Sequence, residues 1–247
     1  MKTMTTMAAE FDDLLRGRRT DHAALVDGFA SLDIRALGTG SFLLCAGYGA
    51  AVGLFGALNQ HPLQLASATL KLPLLFLLSA IVSFPALYVF TALAGARQGG
   101  MPMLRVVAAA GAVNAAVLAS LGPIYAFFTL TTTSVAFMKL LNVAFLALAG
   151  GVALEFLRRT LVRMEAGFNT IETAPPPPAR HDGALGRHNL ETVFALWLVL
   201  QAFVACQAGW VLRPFVADPG ASFNWVTPPG GNPLRDFGSA VGELFGG

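Results

Sequence analysis

The chain has 247 residues, of which 12% are charged and 55% hydrophobic, with a formal net charge of +2. Soluble domains carry about 25% charge; this composition, with a mean hydropathy of +0.63, is that of a membrane protein and excludes a soluble globular enzyme or a disordered chain. Sixteen Lys and Arg against fourteen Asp and Glu leave no basic face for nucleic acid, and two cysteines make no disulfide scaffold.

Residues 1–38 predict a cytoplasmic amphipathic arm. Met7, Phe11 and Leu14, then Leu25, Phe29 and Leu32, stand at helical spacing and give two short helices broken near Gly17. Their apolar faces lie along the headgroups or under the bundle, or dock a partner. Eleven charged side chains in this segment leave no room for the apolar core of a signal peptide.

A hydrocarbon core of about 30 Å takes about 20 apolar residues in helix, because lipid satisfies no backbone amide. Five stretches qualify, at Gly40 to Leu58, Leu72 to Ala94, Leu104 to Phe128, Val135 to Leu157 and Thr192 to Leu212. The expected fold is an all-α membrane protein, a bundle of about five transmembrane helices over residues 39–212. Lys71-Leu72-Pro73 reads as the start of the second span, with Pro73 near its first helical position. Pro85 and Pro123 lie inside spans and should kink them. Thr131-Thr132-Thr133-Ser134 reads as a turn whose hydroxyls serve freed backbone groups.

A linker at 173–190 holds Pro175 to Pro178, which favour polyproline II and separate the fourth span from the fifth. Residues 213–247 form an extracytoplasmic tail; Asn232 as N-cap and Leu234, Phe237, Val241 and Leu244 give it a short amphipathic helix.

Lys and Arg set the orientation. With the N-terminus cytoplasmic, twelve fall inside, from Lys2 to Arg187, and four outside, Lys71, Lys139, Arg213 and Arg235. An odd number of spans then places the C-terminus in the periplasm. Trp197 and Trp210 are thirteen residues apart, about 20 Å of helix, and should lie near opposite interfaces. Arg158, Arg159 and Arg163 sit where anionic headgroups would lie, Glu155 is a partner for the first two, and Arg213 is an anchor beside Trp210.

Within the spans, small residues at four-residue spacing, Gly49, Gly53 and Ala57, then Gly111, Ala115 and Ala119, let backbones approach. Asn114, Asn142, Gln201 and Gln207 are amides at membrane depth and seek partners on facing helices; with Lys139 they could instead line a pathway. No catalytic residue, metal site or cofactor is expected. His22, His61, His181 and His188 never pair at i and i+4, Cys45 and Cys206 read as buried free thiols about 12 Å apart in depth, and neither a nucleophile elbow nor a phosphate loop occurs.

The segments Lys71-Leu72-Pro73-Leu74-Leu75-Phe76 and Gly209-Trp210-Val211-Leu212-Arg213-Pro214-Phe215 resemble stretches in a group of small uncharacterised multipass membrane proteins of bacteria, over residues 40 to 225. The resemblance implies a bacterial inner membrane. Five spans, a cytosolic N-terminus and Gly122-Pro123 are also topologically similar to Yip1-type membrane proteins. The expected function is a non-enzymatic integral membrane component or accessory subunit, in contact with the lipid bilayer and with a homo-oligomer or membrane protein complex; the alternative is a channel or small-solute transporter.

Overall fold

The computed structural model describes residues 2–16, 32–58, 62–93, 100–171, 183–216, 225 and 238–243. Among these residues there is no strand. Six helices follow one another, α1 (Lys2–Leu15), α2 (Ile34–Leu58), α3 (Leu63–Leu93), α4 (Gly100–Thr131), α5 (Val135–Ile171) and α6 (Gly183–Val211), with one more helical stretch at 238–243. Residues 17–31 of the arm, 173–182 of the proline-rich linker and the Asn232 to Phe237 start of the tail helix lie outside the described residues; the remainder of the expected linker, 183–190, is not a spacer but the first part of α6.

Among the described residues, four helices are long and apolar enough to cross a membrane, over Ile34–Leu58, Leu63–Val89, Met103–Thr131 and Val135–Thr160. In α6 the apolar stretch is shorter, Ala195–Val211, at the lower limit of about 17 residues for a span. Leu77, Leu130, Val199 and Phe203 are each more than half exposed. Water would penalise such surfaces, whereas acyl chains cover them without cost. The protein is an all-α, multipass membrane protein.

Local chemistry sets the helix ends. Asp33 Oδ1 accepts hydrogen bonds from the amides of Arg35 (2.9 Å) and Ala36 (3.3 Å) and caps α2. Between α4 and α5 the Ser134 hydroxyl accepts from the amide of Phe137 and Thr132 from that of Ser134, both at 3.3 Å, so the hydroxyl run serves the backbone as expected. Pro123 lies inside α4. The start of α3 differs from expectation. It forms at Leu63 after Pro62, nine residues before the predicted span, and carries Lys71 inside the helix. A hydropathy boundary drawn at a cation misses a helix whose cation has found a buried acceptor.

The chain divides into two compact units, one comprising Met1–Gly40, Ala80–Val113 and Val152–Val204, the other Ser41–Ser79, Asn114–Gly151 and Ala205–Gly247. In the first, Leu37, Leu87, Met103, Val106 and Trp197 are buried. Here α1 is held by its apolar face, with Leu14 buried and the Phe11 ring against Gly40, where a Cβ would collide with it. In the second, Tyr48, Val52, Phe55, Leu72, Leu118, Tyr125 and Met138 make the core. The Tyr125 ring stands edge-on to Tyr48, centroids 6.0 Å apart, and to Phe145 at 6.4 Å.

Small residues close the same unit. A Cβ on Gly49 would lie 2.5 Å from the Ala68 carbonyl oxygen, and one on Gly53 2.7 Å from Leu65 Cα. The two glycines therefore seat the α2 backbone directly on that of α3.

Candidate functional site

Polar side chains inside an apolar fold are the functional candidates, because each must find a partner or lose free energy. In the second unit they form a stripe on α3. Gln64, Ser67 and Lys71, at i, i+3 and i+7, are 0%, 0% and 3% exposed. Gln64 Nε2 donates to the carbonyls of Pro214 (3.2 Å) and Phe215 (2.7 Å), and Lys71 Nζ donates to that of Pro214 at 3.1 Å. The cause is the end of α6. The helix stops at Val211, and the carbonyls just past a helix end have no intrahelical donor. An amide and an ammonium supply donors where lipid supplies none. Just before these carbonyls, the Arg213 guanidinium stacks on Trp210, 3.3 Å from the ring centroid.

Sequence pattern alone misses this stripe and places Lys71 outside as a flank. The three-four spacing of Gln64, Ser67 and Lys71 is the signal that could have found it. We expect Gln64→Leu to lower stability by about 1–3 kcal/mol, since it leaves buried carbonyls short of a donor. Chemical unfolding of the purified protein in detergent measures it; an unchanged midpoint would remove the stripe from the forces that hold the end of α6.

A second pair lies deeper in the same unit. Tyr48 Oη donates to Asn142 Oδ1 at 3.0 Å, with Asn142 3% exposed, and Tyr125 Oη donates to the Met138 carbonyl at 3.2 Å. In the first unit the Ser83 hydroxyl donates to Gln201 Oε1, and Trp197 Nε1 donates to the Ser83 carbonyl at 2.8 Å.

Of the five residues that could line a pathway, Asn114, Lys139, Asn142 and Gln207 belong to the second unit and Gln201 to the first. Asn142 and Gln201 are bonded to neighbours, Asn114 is buried, and Lys139 and Gln207 are exposed. A cavity of about 470 Å³ beside Phe42, Pro62 and Leu70 and another of about 260 Å³ beside Leu14, Phe156 and Arg163 contain none of the five.

Among the packing residues, Gly49 and Gly53 are buried and Ala57 is half-buried. On α4, Ala115 is buried, Ala119 is half-buried, and Gly111 is exposed with no atom within 4 Å of a Cβ. Of the headgroup residues, Arg158 and Arg159 both donate to Glu155, the nearest distances being 2.9 and 2.6 Å, and Arg163 is exposed.

Two expectations are corrected. Trp197, assigned to an interface, is 1% exposed and its indole nitrogen is bonded inside the first unit; sequence spacing fixes a residue's depth along a helix but not the side it faces. Cys45 is buried as expected, whereas Cys206 is exposed, on the face of α6 that also exposes Phe203. Compared with known proteins, the chain matches no family model, no curated protein and no solved structure, so its functional reading rests on these residues alone.

Proposed function

We propose that the chain is a non-enzymatic integral membrane component that associates, in the plane of a bacterial inner membrane, with a second copy of itself or with another membrane protein. The observation that carries this reading is a contrast between glycines. Gly49 and Gly53 are filled by their own chain, while Gly111 on α4 and Gly151 on α5 are exposed and have nothing within 4 Å of a Cβ. An exposed glycine adds nothing to lipid solvation, but it lets a neighbouring helix approach until the backbones touch. The twelve-to-four distribution of Lys and Arg supports a cytoplasmic N-terminus and a periplasmic C-terminus.

The test uses the open space itself. In Gly111→Ile and Gly151→Ile the new Cβ meets no heavy atom of its own chain within 4 Å, so each variant should keep the wild-type unfolding midpoint and yet lose association, measured as a drop in oligomer or complex mass in detergent. Retention of the wild-type mass by both variants would reject both glycines as interface positions. A monomeric wild-type protein whose liposomes pass a solute would replace the reading with transport.

A further inference from the structure

We infer that α1, α4 and α5 form a binding site for one anionic phospholipid, with the phosphate held by Arg159 and Arg163 and an acyl chain laid on an apolar floor beneath α1. In the first unit a cavity of about 260 Å³ is lined by Leu14 and Leu15 of α1, Val113 of α4, and Phe156, Arg159, Thr160 and Arg163 of α5. It lies where the apolar stretch of α5 ends, at Thr160, which is the depth at which hydrocarbon gives way to headgroups. Its two chemistries are therefore stacked in the order in which a phospholipid presents them.

Charge selects the occupant. Glu155 accepts from both Arg158 and Arg159, so one carboxylate offsets one of the three guanidiniums on this stretch, Arg158, Arg159 and Arg163, and the group keeps two positive charges. A guanidinium carries five donors, so Arg159 retains donors beyond the one given to Glu155. Arg159 and Arg163 stand at i and i+4 on one face, and their planar forks match phosphate oxygens. Thr160, 4% exposed, places a hydroxyl beside them.

The floor selects a lipid over free phosphate. Leu14 is 2% exposed but its neighbour Leu15 is 55% exposed, and an acyl chain in the cavity would cover it. Inorganic phosphate would meet only the rim. This inference is independent of the association proposed above.

The experiment places the full-length protein in phosphatidylcholine nanodiscs containing phosphatidylglycerol with a photoreactive acyl chain. We expect saturable labelling of the peptides bearing Leu15 and Phe156, competed by unlabelled phosphatidylglycerol and not by inorganic phosphate. Arg159→Gln with Arg163→Gln should weaken binding about thirtyfold, at about fivefold for each charge. Arg158→Gln removes one charge from the group but no lining residue of the cavity, and should weaken binding by no more than about fivefold. The arginines are exposed, and circular dichroism reports whether each variant keeps its helices. Equal weakening by Arg158→Gln, no weakening in the double variant, or displacement by inorganic phosphate would each overturn the site.

Discussion

Alanine at Gly49 and Gly53 together should be among the most damaging conservative changes in the protein. Gly to Ala normally stabilises a helix by about 1 kcal/mol, and that gain should be outweighed here. The new methyl carbons would lie 2.5 Å from the Ala68 carbonyl oxygen and 2.7 Å from Leu65 Cα. Those are backbone atoms, which cannot rotate aside, so α2 and α3 must separate and give up the dispersion attraction along their seam. Overpacking of this kind costs about 1–3 kcal/mol at each site. Gly111→Ala, with open space around its Cβ, should show no loss in the same unfolding titration. Equal stability of the double variant and the wild type would mean that the two backbones do not touch.

Trp197→Ala should cost about 3–5 kcal/mol. The side chain is 1% exposed and its indole nitrogen donates to the Ser83 carbonyl at 2.8 Å. In a membrane protein the transfer contribution is small, because lipid tails resemble the interior; the cost comes from the cavity left behind and from neighbouring side chains deprived of the ring they pack on. Trp197→Phe keeps most of the volume and forfeits the hydrogen bond, so it should cost about 1 kcal/mol. Unfolding midpoints of the two variants rank them. If Trp197→Phe were as damaging as Trp197→Ala, the hydrogen bond rather than the packing would dominate.

The helices and their approximate depth are legible in the sequence because hydrophobic length is a one-dimensional signal that lipid imposes directly. The close approach at Gly49 and Gly53 is legible for a similar reason, since small residues every fourth position mark a face whichever partner it meets. Rotation about the helix axis is less accessible. The distance of Trp197 from Trp210 measures depth alone, and the ring turns inward. Lys71 reads as a flank because a cation normally ends a span, but the carbonyl of Pro214, 143 residues away in sequence, makes its burial tolerable. Pairings of that range leave no local pattern. Amides behave similarly: Asn142 is recognisable as needing a partner, while its donor, Tyr48, lies 94 residues earlier.

The length of α5 sets how far a charge at its tip stands from the apolar stretch. Its apolar stretch ends at Thr160, but the helix continues to Ile171, and eleven more residues at 1.5 Å each make a strut of about 16 Å. That is about twice the Debye length at physiological ionic strength. A charge added or removed at the tip would be screened from the lipid surface, and only mechanical stiffness would carry the event back to the embedded portion.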